Sequence, residues 1–109
     1  PGLDQGLDGI LLANALHFVR NPDVVLARLA ARVRPDGRVV VVEYDGRPAN
    51  RWVPHPIPMA GLPALAGAAG LANPTITATR PSAFGGILYV AAAQRLAETG
   101  GEQAGADRR

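Results

Sequence analysis

Short apolar runs and one amphipathic stripe alternate along this chain, and their order predicts a small mixed sheet. Ile10-Leu11-Leu12-Ala13 is a continuous apolar run entered from Asp8-Gly9 and left at Asn14, which predicts a parallel strand over residues 7–13, buried on both faces. Asn21-Pro22-Asp23 then has the residues of a helix start: a side-chain acceptor, a ring preset at the first helical position and a carboxylate favoured by the dipole. Val25, Leu26, Leu29, Ala30 and Val33 share one apolar face while Arg28 and Arg32 turn to water, so the helix is expected from about residue 22 to 34. Arg34-Pro35-Asp36-Gly37 stops it, because proline has no N–H to donate and disfavours helical geometry in the residue before it.

Arg38 to Tyr44 holds four consecutive valines, whose branched side chains favour the pleated conformation and offer no polar face, and reads as a central strand. Strand, helix and strand make a right-handed crossover between two parallel strands. Asp45 to Pro58 is dense in turn formers and reads as a long loop. Met59 to Ala69 is Ala- and Leu-rich with Gly70 as a stop, a short helix. Thr75 to Thr79 alternates polar and apolar positions like an edge strand, and Ile87 to Ala93 is apolar throughout, so it lies deeper in the same sheet. The seven residues between them are too few for a helical crossover, which makes these strands antiparallel neighbours. The architecture expected is therefore α/β: two parallel strands with a crossover helix, then a helix and a terminal antiparallel hairpin. Beyond residue 96 no apolar period remains, and residues 96–109 are expected to be a disordered tail.

Composition narrows the function classes. A chain of 109 residues, 48% hydrophobic and 18% charged, is a globular domain and only one. No apolar stretch approaches the roughly 20 residues of a membrane-spanning helix. The absence of cysteine excludes disulfides and thiolate metal sites and fits a cytoplasmic protein. The net charge of +2 comes from arginines scattered along the chain, without lysine, and this is not the clustered patch that binds nucleic acid. The opening Pro1-Gly2-Leu3-Asp4 lacks the pattern of a signal peptide and reads as a cut.

Ligands of open α/β sheets sit beyond the carboxyl ends of the parallel strands, which selects Asn14 to Phe18 and Glu43 to Asp45. Asn14 either contacts a ligand or caps the following turn. His17 either serves as a base near neutral pH or packs beside Phe18. Glu43, with Tyr44 beside it, either orients a substrate amine or hydroxyl or is a solvated strand-end carboxylate. Trp52 and His55 either close over an acceptor or anchor their loop. No Asp, Glu and His grouping has metal-ligand spacing, and neither a nucleophile elbow nor a phosphate loop appears.

The motifs resemble the second half of class I S-adenosylmethionine-dependent methyltransferases over roughly residues 7–93. Leu7-Asp8-Gly9-Ile10-Leu11-Leu12-Ala13-Asn14-Ala15-Leu16-His17 is similar to that family's fourth strand and the turn after it, with an Asp opening the strand and a Leu-His pair following it. Asp23 to Val33, Arg34-Pro35-Asp36-Gly37 and Arg38 to Val41 resemble its fourth helix, its Pro-Gly turn and its fifth strand. The resemblance implies S-adenosylmethionine as cofactor, Asn14, Ala15 and Leu16 beside its methionine moiety, a small-molecule acceptor facing His17, Phe18, Glu43, Tyr44, Trp52 and His55, and the carboxy-terminal part of a methyltransferase-like domain over residues 1–95. The family's acidic, glycine-rich cofactor loop and the acidic residue that holds the ribose are missing; Gly67-Ala68-Ala69-Gly70 falls at a helix end and is no substitute. Methyl transfer is therefore expected of an intact parent protein, with weak or no cofactor binding by these 109 residues alone. The alternative is a non-catalytic module that self-associates through exposed sheet faces.

Overall fold

A computed structural model describes residues 6–46, 48–83 and 85–97. The strands are β1 (Leu7–Ala13), β2 (Val33–Asp45), β3 (Thr75–Pro81) and β4 (Ile87–Gln94), and the helices are α1 (Pro22–Ala30) and α2 (Leu62–Ala68). They form one sheet in the order β1-β2-β4-β3, with β1 and β2 parallel and the other pairs antiparallel. The crossover, the inner position of β4 and the outer position of β3 are those the apolar pattern predicts. Most of the expected tail, from residue 98 on, lies outside the described residues.

Both helices pack on one face of the sheet. Val39, Val41 and Glu43 of β2 and Tyr89, Ala91 and Ala93 of β4 point toward them, in register across the ladder, and meet Leu26 and Ala30 of α1 and Leu62 and Ala66 of α2. Gly70 closes α2 in the left-handed conformation, φ +79°, while the Leu71 N–H donates back to the Ala66 carbonyl at 2.9 Å. Two expectations are corrected. First, α1 ends at Ala30 and not near residue 34. The Arg32 carbonyl accepts the Leu7 N–H at 2.8 Å, and Val33 pairs with Leu7 and is fully buried, so the backbone is taken by the sheet before another helical turn can form. Arg34 to Gly37 then bulge out of β2, with Asp36 at φ +69°, before regular pairing resumes at Arg38.

Second, β1 is not buried on both faces: Leu11 is 65% exposed and Leu7 42%. Among the described residues β1 has β2 on one edge and no strand on the other, and the helices cover only the opposite sheet face. Apolar sequence set the strand but not its covering. The sheet's second face carries the half-buried Val40 and Val42 beside the exposed Leu11.

Candidate functional site

The carboxyl ends of β1 and β2 open into a cleft of about 590 Å³, lined by Asn14, His17, Phe18, Tyr44, Asn50, Trp52 and Val53. This is within the roughly 300–1,000 Å³ range of small-molecule sites. β1 delivers Asn14 in the left-handed conformation, φ +55°, which asparagine tolerates better than most residues, with its N–H bonded to the Val42 carbonyl at 2.9 Å. The Asn14 amide makes no side-chain hydrogen bond among the described residues, and the 3₁₀ turn Leu16–Phe18 that follows has no side-chain cap. Capping therefore does not account for Asn14.

That turn is held from below by Glu43, which is 0% exposed. The Leu16 and His17 N–H groups donate to its Oε2 at 3.0 and 3.2 Å, and its Oε1 lies 2.7 Å from His17 Nδ1. A carboxylate only accepts, so the arrangement places the imidazole proton on Nδ1 and leaves Nε2 as the nitrogen that no described side chain engages. His17 is itself buried, tilted against Phe18 with ring centroids 4.4 Å apart and against Tyr44 at 5.9 Å. Glu43 thus stands behind the cleft wall, neither solvated nor on the cleft surface, because its position on β2 faces the helices along with Val39 and Val41. Below it, burial and then the Glu43 and Asp45 carboxylates push the Tyr89 phenol far above its usual range; its hydroxyl donates to the Ile57 carbonyl at 2.7 Å.

The loop after β2 closes the far side. Asn50 Oδ1 accepts the N–H groups of Trp52 and Val53, both at 2.9 Å, and Asp45 Oδ1 accepts that of Met59 at 2.9 Å. Val53 and Ile57 are the loop's buried anchors, whereas Trp52 is 68% exposed, so anchoring does not account for the indole. Arg51 sits over it, 5.4 Å from the ring centroid. His55 contributes its N–H to the His17 carbonyl at 3.0 Å and does not line the cleft. Asn50 escaped the sequence reading; an asparagine two residues ahead of Trp52 in a turn-forming stretch was the available signal, since Asn Oδ1 caps backbone at that spacing.

Of the residues implied to flank a cofactor, Asn14 and Ala15 are exposed at the cleft end of β1. Leu16 is buried, its N–H bound to Glu43 and its carbonyl accepting the Val19 N–H at 3.2 Å. No helix among the described residues is long and apolar enough to cross a membrane. No group of three or more potential metal ligands occurs among them.

Strand order, strand direction and the helix-linked parallel pair together give this chain the class I methyltransferase fold over the part it covers. The 1,6-didemethyltoxoflavin-N1-methyltransferase of Burkholderia thailandensis, solved with 1,6-didemethyltoxoflavin and S-adenosylhomocysteine bound, matches 84% of this chain and 45% of its own with a TM-score of 0.64 and 23% identity. The CMeT domain of the citrinin polyketide synthase matches 91% of this chain and 30% of its own, with a TM-score of 0.62 and 20% identity. An O-methyltransferase from neocarzinostatin biosynthesis, in complex with S-adenosyl-L-homocysteine and 1,4-dihydroxy-2-naphthoic acid, matches 88% of this chain and 31% of its own, with a TM-score of 0.55 and 26% identity. The chain spans less than half the length of these structures. No family model and no curated protein matches it.

Proposed function

We propose that this chain forms the acceptor side of an S-adenosylmethionine-dependent methyltransferase for small molecules, with His17 as the base and Glu43 as the residue that positions it. The observation that carries the proposal is a buried carboxylate holding both the backbone and the ring of His17 at the mouth of the parallel strands. Bound S-adenosylmethionine would supply an electrophilic methyl group, its S–CH₃ bond breaking to leave S-adenosylhomocysteine. Asn14 and Ala15 would flank its methionine end, where the free Asn14 amide fits a polar group. The acceptor hydroxyl or amine would give its proton to the lone pair on His17 Nε2 as its oxygen or nitrogen takes the methyl group. General-base assistance of this kind contributes about 10²–10⁴-fold. The solved structures similar to this chain that hold S-adenosylhomocysteine together with a small molecule support the reading.

No acidic, glycine-rich turn is present in the sequence, so calorimetry of the 109-residue chain with S-adenosylhomocysteine is expected to show no micromolar binding. The reading frame upstream of Pro1 is expected to encode a strand that ends in such a turn. A product that includes it should transfer a labelled methyl group and lose about 100-fold or more in kcat on His17→Ala, with KM little changed. An upstream frame without that turn, or a His17→Ala enzyme with undiminished kcat, overturns the proposal.

The second face of the sheet, which no described element covers and where Leu11 is 65% exposed, supports a second reading in which the chain self-associates. Sedimentation at several concentrations tests it, and a compact monomer throughout removes it.

A further inference from the structure

We infer that the cleft selects flat, uncharged aromatic acceptors, stacked against Phe18 and Trp52. The inference rests on the cleft being the acceptor site and adds the class of molecule it takes. The chain has two Phe, two Tyr and one Trp, and three of these five rings, Phe18, Tyr44 and Trp52, line this one cleft. The core is built instead from Val, Leu, Ile and Ala, with Tyr89 the one aromatic ring fully buried among the described residues. Composition does not produce this concentration, since the rings come from three separate segments: the turn after β1, the end of β2 and the loop after it. Phe18 is 60% exposed and Trp52 68%, a large apolar area to leave in water unless a ligand covers it.

The wall chemistry narrows the class further. Among the described residues no Asp, Glu or Arg side chain lines the cleft; its polar members are Asn14, His17, Tyr44 and Asn50. Arg51 is turned to the Trp52 ring and is not part of the wall. Both Asn50 contacts use its Oδ1, which leaves its NH₂ group, like the Asn14 amide, for heteroatoms at the edge of a ring. Among the described lining residues a charged ligand would meet no Asp, Glu, Lys or Arg of opposite charge. An uncharged ring system finds aromatic faces for its plane and amides for its rim, and aromatic faces prefer such offset or tilted partners to saturated ones of equal size.

The test compares 2-naphthol with decahydro-2-naphthol, the same skeleton flat and puckered, by ¹H–¹⁵N correlation spectra of the 109-residue chain. Trp52 is the sole tryptophan, so its indole N–H gives one unambiguous signal. 2-Naphthol is expected to shift that signal and the amides of Asn14 and Phe18 saturably, binding roughly tenfold more tightly than the saturated alcohol. Phe18→Leu, at an exposed position, should keep the dispersed spectrum and lose the preference. Equal affinity for both alcohols, shifts centred away from the cleft, or no binding of either overturns the inference. If the flat preference is absent while His17→Ala still abolishes methyl transfer in the upstream-extended product, this inference fails alone. Ring binding without any methyl transfer leaves the preference for flat rings standing but removes the proposed activity, and with it the rings' role as acceptors.

Discussion

With Glu43 replaced by Ala, the buried N–H groups of Leu16 and His17 lose their acceptor and the imidazole loses its partner. An unsatisfied buried group costs about 1–3 kcal/mol, so Glu43→Ala is expected to lose about 3 kcal/mol or more in urea unfolding. Glu43→Gln keeps one acceptor oxygen and should fall between it and the parent. A loss below about 1 kcal/mol for the alanine variant would show that water replaces the carboxylate. Tyr89 makes a second residue-level prediction, in alkali. The unfolded phenol gives up its proton near pH 10, while the folded one, raised chiefly by burial, keeps it to higher pH. The unfolded state then binds fewer protons, so stability falls as pH rises past about 10, by up to about 1.4 kcal/mol per pH unit. The chain has neither Lys nor Cys to compete in that window, and Tyr89→Phe should flatten the stability profile above pH 10. A profile unchanged by that substitution would place the alkaline loss elsewhere. The residue types at the site were legible as the two ends of parallel strands, but their roles were not. His17 and Glu43 are 26 positions apart, and no local pattern says that one lies beneath the other.

At the scale of elements, strand positions were read well because apolar runs and β-branched residues act locally, whereas the end of α1 depended on a neighbour. Val33 continues the helical stripe in sequence, yet its pairing with Leu7 draws it into the sheet. The turn that follows makes the sharper prediction. A Cβ on Gly37 would run into Val33 Cγ1 and lie 2.8 Å from the Arg34 carbonyl oxygen and 2.9 Å from that of Asp8, so Gly37→Ala must force apart the β1–β2 junction. A destabilisation of about 1–3 kcal/mol is expected from thermal or urea unfolding. Gly67, inside α2, meets nothing within 4 Å, and Gly67→Ala should stabilise by about 0.5–1 kcal/mol. The two substitutions are chemically identical, and equal effects would mean that close approach at Gly37 does not govern the turn.

At the scale of the whole molecule, the helices cover one sheet face and no described element covers the other. Leu11 stands at 65% exposure on the open edge strand beside the half-buried Val40 of β2. Leu11→Lys places a charge where another apolar surface would have to dock, and is expected to lower any concentration-dependent association seen by sedimentation while leaving the helical face and its circular dichroism intact. Undiminished association would locate the contact elsewhere. Sequence could not show this asymmetry, because an apolar strand reads alike whether a second layer covers it or not.

The clasp of Glu43 on the turn after β1 also has a kinetic meaning. Its two backbone donors belong to residues that are 1% and 3% exposed, and their acceptor comes from the far strand of the crossover. Freeing them requires the turn after β1 to part from Glu43 of β2, 26 and 27 positions away in the chain. The Leu16 and His17 amides would then trade their hydrogens for deuterium only on the clock of cooperative opening, while an exposed neighbour such as Ala15 exchanges orders of magnitude sooner. The wall of the cleft would thus belong to the slowest-opening unit of the molecule, although it is built on a three-residue turn.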